Sequence, residues 1–285
     1  MAQILTTPTP VARRSPRPRH YVMCPPTEFD VLYSINPWMD PTHRVDVARA
    51  RSQWQSLHDT YVGLGHRIDL LDPVPGLPDM VFAANGAVSV GDRTYGAAFA
   101  FPQRQAEAHA HVDFLRGVGR KVERPTHVNE GEGDFLVLAD MILAGHGFRT
   151  TRDAHAEAAS TLGRRVVSLE LVDPRFYHLD VALGVLDDGH GESGADVVWF
   201  PGAFSPASRR TLRRLFPGSW ECSEADVLAF GLNLVSDGLN VVLPREAAGL
   251  GSGLSSRGYR PVPVDLTEFV KGGGSVKCCT AELHR

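Results

Sequence analysis

The chain has 285 residues, of which 43% are hydrophobic and 22% are charged, and its formal net charge is −4. This length suits one large domain or two ordinary ones, and the apolar fraction is that of a globular protein with a substantial core. Its 29 basic and 33 acidic residues are spread along the chain, which argues against a nucleic-acid or anionic-membrane surface. No apolar run approaches the roughly 20 residues that a membrane-spanning helix needs.

The cysteine content favours a reducing compartment. Four cysteines in a chain of this length are too few for a secreted disulfide scaffold. The adjacent pair Cys278 and Cys279 lacks the spacing of metal ligands. We therefore expect a cytoplasmic α/β enzyme that needs no metal and no cofactor.

The first segment differs in composition from the rest. Residues 1–19 are rich in Pro, Thr and Arg and show no hydrophobic periodicity. Such a segment cannot bury enough apolar surface to fold. We expect residues 1–19 to form a disordered tail and residues 20–285 to form a single domain.

From His20 onward a loose repeat runs through the chain. Each unit has a short apolar or Gly-rich strand, a turn, an amphipathic helix that ends in Gly, and a second β-rich segment. The predicted helices lie in VDVARARSQWQSLHDTYVGLG, PQRQAEAHAHVDFLRGVG, TTRDAHAEAASTLG, SPASRRTLRRLF and REAAGLGSGLSSRG. Hairpin turns are predicted at Gly91-Asp92, Asp187-Asp188-Gly189 and Asp237-Gly238.

Two architectures are compatible with this repeat. Five units of about 45 residues have a period that is typical of propellers and solenoids. Five small mixed sheets around an axis would form a five-bladed α/β propeller with a central cavity. The alternative is a doubly wound α/β sheet without symmetry.

Polar residues interrupt the apolar strand pattern at the same phase of four units. Such groups are costly in a closed interior unless they are paired or used, so we expect one shared site. The four segments are LPDMVFAAN (77–85), NEGEGDF (129–135), FYHLD (176–180) and KGGGSVKCC (271–279).

Within the last of these segments, Cys278 is the candidate nucleophile. It follows three glycines, Gly272 to Gly274, which allow a close approach of the backbone or a positive φ. A thiol there could act as a nucleophile if its neighbours favour the thiolate. The alternative is that Cys278 and Cys279 are buried structural residues. Strand alternation would point the two thiols to opposite faces, so at most one belongs to the site.

The other segments supply an imidazole and several carboxylates. In a strand, His178 and Asp180 would project to the same face, where the carboxylate could orient the imidazole. Glu130, Glu132 and Asp134 also have same-face spacing if the segment is extended. Three carboxylates could bind a metal, but without a second His or Cys nearby an organic cation is the better match.

Together these residues indicate covalent catalysis on a cationic substrate. A thiol, an imidazole and several carboxylates suit attack on an electrophilic carbon. A guanidinium fits this set, because carboxylates can hold it bidentately and its charge helps a nearby thiol to ionise.

The same four segments resemble the pentein, or guanidine-modifying, superfamily and within it the dimethylarginine dimethylaminohydrolase group. The similarity covers about residues 20–285. LPDMVFAAN looks like the family's P-D-x-V-F-x-x-[DN], NEGEGD like its E-G-G-D, FYHLD like its His-containing strand, and GGGSVKC like the terminal G-G-G-x-x-x-C of the deiminases. The resemblance implies the five-bladed propeller, with Cys278 as nucleophile, His178 as general acid and base, and Glu130 as the carboxylate that holds the guanidino nitrogens.

The resemblance also implies the substrate contacts. Asp180 and Asn85 would assist Glu130 at the guanidino group. Asp79, Arg104 and Arg149 would bind the amino-acid end, with Arg149 a candidate for the α-carboxylate. The predicted reaction is hydrolysis of Nω,Nω-dimethylarginine to citrulline and dimethylamine.

Two departures from the family pattern leave alternatives open. The acidic motif carries one extra residue, so Glu132 could replace Glu130. Asn85 stands where deiminases have an aspartate, and with Asn36 in INPWM it resembles the arginine dihydrolases.

An arginine dihydrolase or deiminase is therefore the first alternative function. The others are an amidinotransferase, a non-catalytic binding module of the same fold and, least favoured, a zinc enzyme. The only predicted partner is a small guanidino substrate, with no nucleic acid and no membrane. The sequence leaves open a homo-oligomer and a lid near Trp38.

Overall fold

A computed structural model describes residues 14–191 and 194–284. Within these residues the chain forms fifteen β-strands and seven α-helices. The strands are β1 (His20–Met23), β2 (Arg67–Leu70), β3 (Ala87–Val90), β4 (Arg93–Gly96), β5 (Lys121–Glu123), β6 (Phe135–Val137), β7 (Met141–His146), β8 (Arg165–Glu170), β9 (Leu183–Asp188), β10 (Ala195–Trp199), β11 (Trp220–Glu221), β12 (Val235–Ser236), β13 (Asn240–Pro244), β14 (Arg260–Val264) and β15 (Ala281–His284). The helices are α1 (Val47–Gly63), α2 (Glu107–Gly117), α3 (Arg152–Leu162), α4 (Pro206–Leu215), α5 (Glu224–Leu228), α6 (Ala248–Ser256) and α7 (Thr267–Val270).

The five helices predicted from periodicity are confirmed as α1, α2, α3, α4 and α6. In α1 the Asp46 side chain accepts a hydrogen bond from the backbone N–H of Arg49, which satisfies an otherwise free donor of the first turn. Trp54, Leu57 and Tyr61 of this helix are buried, as their spacing predicts. The described helices include none that is both long and apolar enough to cross a membrane.

One strand connectivity occurs five times. In each unit an antiparallel pair is followed by a helical crossover to a parallel partner. The units with consecutive strands are β3-β4-β5, β6-β7-β8, β9-β10-β11 and β12-β13-β14. The fifth unit joins both ends of the chain, because β1 pairs antiparallel with β15 and parallel with β2.

These units form a mixed α/β fold. β15 also pairs with β3, which joins two units into a six-stranded sheet of order β2-β1-β15-β3-β4-β5. The other three units are separate three-stranded sheets, and the hydrogen-bonded pairing of the described strands does not close into a barrel. The alternative of a doubly wound sheet is wrong, because every unit contains an antiparallel pair.

Two predicted hairpin turns connect strands that pair directly. Gly91-Asp92 joins β3 to β4, with Gly91 at φ 61°, and Asp237-Gly238 joins β12 to β13, with Gly238 at φ 96°. Both glycines adopt the left-handed conformation that such turns require. The third predicted turn is misplaced, because Asp187 and Asp188 are the last residues of β9 and pair with β10, and only Gly189, at φ 88°, lies beyond the strand.

Part of the predicted tail contacts the domain. Arg17 and Arg19 form ion pairs with Asp188 at the end of β9, and Arg14 lies 3.2 Å from Asp196 of β10. The Arg14 guanidinium also lies 3.7 Å from the centre of the Tyr259 ring. The disorder predicted for residues 1–13 falls outside the described residues, and the domain limits stay a prediction.

The polar segments precede the first strands of their units. The segments before β3, β6 and β9 form short 3-10 helices that pack against one another in the interior. They comprise Pro78–Val81 and Ala83–Gly86 before β3, Gly131–Gly133 before β6, and Leu179–Val181 before β9. This arrangement positions the candidate site.

Candidate active site

The prediction that Glu130, Glu132 and Asp134 share one strand face is wrong. Gly131 has φ 51°, and a Cβ built on it would lie 2.6 Å from the backbone nitrogen of Ala87. Only glycine fits this turn, which breaks the extended conformation that alternation assumed. The three carboxylates consequently point to different partners.

Five of the predicted site residues line one small enclosed pocket with about 10 Å³ of internal volume. Cys278 lies at this pocket, so the thiol and four of the predicted substrate-binding side chains meet in space although they come from three units of the chain. The five residues are Asp79, Asn85, Arg104, Arg149 and Cys278.

The Cys278 thiol is held between an acid and an amide. Its Sγ donates to Asp180 Oδ2 at 3.2 Å and accepts from Asn233 Nδ2 at 3.2 Å. Asn233 Oδ1 also accepts from the Cys278 backbone N–H at 3.1 Å. Burial and the facing Asp180 carboxylate raise the pKa of the Cys278 thiol well above its ordinary value. The thiol is therefore neutral in the free protein.

The backbone around Cys278 differs from the expected strand. Residues 271–280 form consecutive turns, so strand alternation does not separate Cys278 from Cys279. The predicted role of the glycines is confirmed. Gly273 has φ 85°, and a Cβ on Gly274 would lie 2.4 Å from the Phe82 ring and 3.0 Å from the Cys278 Cβ.

His178 pairs with Glu130 rather than with Asp180. Its Nε2 lies 2.8 Å from Glu130 Oε2, and both side chains are buried. The predicted His178–Asp180 pairing on one strand face is wrong, because His178 directly precedes the short 3-10 helix Leu179–Val181. This turn directs Asp180 towards Cys278 instead.

Glu130 is ionised despite its burial. Burial alone would raise its pKa, but Arg149, His178 and Arg104 outweigh burial and hold the pKa of Glu130 below its ordinary value. Arg149 Nη1 donates to both Glu130 oxygens, at 3.1 and 3.0 Å. The remaining Arg149 nitrogen, Nη2, donates to the backbone carbonyl of Ile35 at 2.8 Å.

The Arg104 guanidinium makes four hydrogen bonds to neighbouring residues. It donates twice to Glu107, at 3.0 and 2.8 Å, and once to Asn85 Oδ1 at 2.8 Å. A further hydrogen bond of 3.2 Å reaches the backbone carbonyl of Asp79. Burial raises the pKa of Glu107 to about 7 in spite of its pairing with Arg104. This network fixes the orientation of the Asn85 amide.

Several polar atoms of the site have no partner. Among the described residues, Asn85 Nδ2, His178 Nδ1 and Asp79 Oδ1 are buried without a hydrogen bond. A Cβ built on Gly133 would lie 2.4 Å from Asn85 Nδ2 and 3.2 Å from His178 Nδ1, so these two atoms lie close to the same glycine. Unpartnered buried polar atoms at a pocket indicate a place for a polar ligand.

Glu132 belongs to a different cluster. Lys277 Nζ donates to its Oε2, and the Glu282 backbone N–H donates to the same atom at 2.9 Å. His284 Nε2 lies 3.2 Å from Oε1. These contacts hold Glu132 against the C-terminal strand β15, so Glu130 is the carboxylate that faces the imidazole.

Residues 29–44, called the cover segment, lie across the pocket and contribute to its lining. The Tyr33 hydroxyl donates to Asp79 Oδ2 at 2.8 Å, and Asn36 Nδ2 donates to the Gly272 carbonyl at 3.1 Å. Trp38 Nε1 donates to the Arg175 carbonyl at 2.9 Å. Asn36, which resembles a residue of the arginine dihydrolases, and Trp38, near which a lid is expected, therefore both lie in this segment.

Sequence reasoning missed Asn233 and Tyr177. Asn233 is a single polar residue within the apolar run VLAFGLNLV, which is a weak signal on its own. The Tyr177 hydroxyl donates to the Gly273 carbonyl at 2.7 Å, a contact between distant parts of the chain that no local pattern reveals. Among the described residues, no group of three or more His, Cys, Asp or Glu side chains could hold a metal ion.

Comparisons with known proteins agree with this geometry. The chain is 53% identical, over 96% of its length and 88% of the relative, to N(G),N(G)-dimethylarginine dimethylaminohydrolase of Mycobacterium tuberculosis. It is 36% identical over 92% of its length to the bifunctional arginine dihydrolase/ornithine cyclodeaminase AgrE of a Nostoc species, of which it spans 37%. No family model matches the chain.

Solved structures that are similar to this chain include the N-terminal domain of ArgZ, an arginine dihydrolase from the ornithine–ammonia cycle in cyanobacteria. One structure of that domain is bound to substrate, and another is covalently bound to a reaction intermediate. Both have a TM-score of 0.87 and 32% identity, over 94% of this chain and 98% of the other. The fold and the site thus define a member of the pentein, or guanidine-modifying, superfamily. Within it, the chain belongs to the dimethylarginine dimethylaminohydrolase family.

Proposed function

We propose that this protein is a hydrolase that converts Nω,Nω-dimethylarginine and water to citrulline and dimethylamine by covalent catalysis. The observation that carries this proposal is the pocket that Cys278 shares with Asp79, Asn85, Arg104 and Arg149. Support also comes from the 53% identical relative that is named for this reaction. Together with Glu130 and Asp180, which lie beside this pocket, the carboxylate of Asp79 outnumbers the two arginines, which suits a cationic guanidinium.

In the proposed reaction Cys278 Sγ attacks the guanidinium carbon. The thiol proton passes to Asp180 Oδ2, which already accepts a hydrogen bond from it and whose pKa burial raises to about 7. The positive charge of the substrate favours the thiolate, which burial and the Asp180 carboxylate disfavour. His178, in its protonated form, donates a proton to the departing dimethylamine nitrogen and leaves a thiouronium intermediate.

The second half of the reaction regenerates the thiol. Neutral His178 takes a proton from water, and the hydroxide adds to the thiouronium carbon. Collapse of the tetrahedral species breaks the carbon–sulfur bond, and Asp180 returns the proton to the leaving sulfur. The hydroxyl group loses its proton to solvent as the carbonyl of citrulline forms, and the released dimethylamine takes up this proton. Glu130 orients the imidazole through Nε2 and stabilises its charged form, which leaves the unpartnered Nδ1 for proton transfer.

The remaining predicted residues take binding roles in this proposal. Glu130, Asp180 and Asn85 face the guanidino group, and Asp79 and Arg149 bind the amino-acid end. Arg104 is proposed at the amino-acid end as well, and its hydrogen bond to Asn85 Oδ1 fixes the orientation of the Asn85 amide. Arg149 must exchange part of its pairing with Glu130 for the α-carboxylate.

Two broader predictions accompany the reaction. The five repeated units form a five-bladed propeller around the site, which is supported by the fivefold repetition of one strand connectivity. The protein works in the cytoplasm, which is supported by its four free cysteines. The small guanidino substrate is its principal partner.

A product assay tests the proposed reaction. The purified chain is incubated separately with Nω,Nω-dimethylarginine and with arginine, and dimethylamine, ammonia, citrulline and ornithine are measured. We expect equal amounts of dimethylamine and citrulline from the methylated substrate. Turnover of arginine alone would overturn the assignment. Cys278→Ser should abolish turnover and keep the circular dichroism spectrum, whereas undiminished activity would refute covalent catalysis by Cys278.

Arginine dihydrolase activity is the second candidate function, and Asn85 is the observation that favours it. The family pattern allows either Asp or Asn at this position, and the arginine dihydrolases that the chain resembles carry Asn. The Asn85 amide faces the pocket with its Nδ2 unpartnered. In the same assay this activity would appear as ornithine with two equivalents of ammonia.

A further inference from the structure

A second pocket lies apart from the one around Cys278 and shares no lining residue with it. It has about 50 Å³ of internal volume and is bounded by strands β1, β6, β9, β12 and β15. Lys277, the immediate neighbour of Cys278, belongs to this second pocket. Successive residues of one turn thus serve two separate cavities.

The polar lining of the second pocket contains three basic and three acidic side chains. They form a connected set of ion pairs in which Arg19 joins Asp188 and Glu282, while Lys277 and His284 join Glu132. The set is buried or half-buried, and Glu132 and Asp188 are its most enclosed members. The proposed reaction at Cys278 uses none of these six residues.

A buried hydroxyl at this pocket has no partner. Tyr21 is 1% exposed and lines the pocket, and its hydroxyl makes no hydrogen bond among the described residues. Arg19 Nε, which borders the same space, also makes none. A buried hydroxyl without a partner costs free energy, which a ligand that bonds to it recovers.

We propose that this second pocket binds a small zwitterionic α-amino acid. The six charged side chains balance, so an isolated anion would face three carboxylates and an isolated cation would face three basic groups. A zwitterion presents a carboxylate to Arg19 and Lys277 and an ammonium to Glu282 and Asp188. The Tyr21 hydroxyl supplies a further hydrogen bond to the bound carboxylate.

The size of the space sets the size of the ligand. A cavity needs roughly 10–15 Å³ to hold a single water, so about 50 Å³ accommodates only a few non-hydrogen atoms. A neighbouring cavity of about 180 Å³ shares Arg19, Asp188, Glu282 and His284 with it and provides an approach. Glycine and alanine match this space, whereas arginine exceeds it.

Isothermal titration calorimetry of the full chain with glycine and with L-alanine tests the proposal. We expect saturable binding of one molecule per chain, and no saturable binding of acetate or ethylamine, which each carry one of the two charges. Because glycine and alanine lack a guanidino group, their binding does not require the reaction proposed at Cys278, and the tyrosine variants described next separate binding here from binding at Asp79 and Arg149. Equal binding of acetate would contradict the zwitterion, and the absence of heat with both amino acids would show a pocket that holds water only.

A pair of tyrosine variants locates the binding. Tyr21→Phe removes the unpartnered hydroxyl, and we expect it to weaken amino-acid binding about fivefold. Tyr61→Phe is the matched control, because its buried hydroxyl bonds to Thr280 and Tyr61 does not line the pocket. Unchanged affinity in Tyr21→Phe, or an equal loss in both variants, would overturn the assignment.

Discussion

At the scale of single residues, Glu130 lies next to three of the buried basic side chains of the site. It contacts Arg149 through both oxygens and His178 through one, and Arg104 Nη1 lies 3.9 Å away. One carboxylate thereby faces two guanidinium groups and an imidazole among buried side chains, although Arg104 also pairs with Glu107. Its loss removes charge balance as well as a hydrogen bond.

We expect Glu130→Gln to lower kcat by roughly 10²–10⁴-fold, because the imidazole loses the carboxylate that orients and stabilises its charged form. Glu132→Gln should lower kcat far less when both rates are expressed per folded molecule. Steady-state kinetics with the folded fraction measured by circular dichroism makes the comparison. The reverse order would assign the catalytic role to Glu132.

The reactivity of Cys278 should depend on pH in a way set by its neighbours. Because the pKa of the thiol is raised, alkylation by iodoacetamide should be slow at pH 7 and should still accelerate above pH 9, the usual value. Asp180→Asn removes the facing negative charge, lowers this pKa and should speed alkylation at pH 8 by roughly tenfold for each pKa unit removed. Peptide mapping by mass spectrometry separates Cys278 from Cys279. Alkylation that has already levelled off at pH 7 would show a thiol activated in the free protein.

At the scale of elements, the cover segment 29–44 governs access to the pocket. The pocket beneath it has about 10 Å³ of internal volume, which is too small for an arginine-sized molecule. The segment is held by side-chain contacts to the loop of Gly272 and Gly273 and to Asp79. Substrate entry therefore requires these contacts to open.

Gly273→Ala tests the coupling between this loop and the cover segment. A Cβ on Gly273 would lie 2.6 Å from Asn36 Nδ2, so alanine should displace Asn36 and lower kcat/KM by about tenfold or more. Gly65→Ala is the matched control, because Gly65 has the same φ of 85° but open space around its Cβ position. Both variants carry the roughly 1–2 kcal/mol cost of a left-handed alanine. Equal kinetic effects in the two variants would show that backbone strain alone explains the loss and would contradict the coupling between the loop and the cover segment.

The elements also show how far local sequence patterns extend. The amphipathic helices were predictable because their periodicity records burial on one face, as in Trp54, Leu57 and Tyr61 of α1. The residues of the catalytic proposal were found through the resemblance and through their common phase in the repeat. Their pairing was not, because Gly131 and the turn after His178 redirect side chains that alternation placed together. Asn233 reaches Cys278 from another unit, and such a contact leaves no local signal.

At the scale of the whole molecule, residues 14–19 link separate units. Arg14 reaches Asp196 and Tyr259, and Arg17 donates its backbone N–H to the Asp237 carbonyl at 2.9 Å. The segment therefore touches β10, the start of β14 and the turn between β12 and β13. It contributes to holding these units together.

Arg14→Ala should lower the free energy of unfolding by about 1 kcal/mol, because it removes both a half-buried ion pair and a cation–π contact. Lys121→Ala breaks the exposed pair with Asp92 and serves as the control, with an expected change below about 0.5 kcal/mol. Urea unfolding followed by fluorescence measures both variants. Equal stability of Arg14→Ala and the parent chain would place residue 14 in the tail.

The pairing of β1 with β15 carries a consequence for biosynthesis. The first strand leaves the ribosome long before its antiparallel partner, so its hydrogen-bonding edge on that side stays open throughout elongation. Cys278 lies only a few residues before β15, so the proposed nucleophile is translated after the other residues of the proposed site. A growing chain lacks the Cys278 thiol until then, so the proposed activity can arise only when β15 is made and pairs with β1.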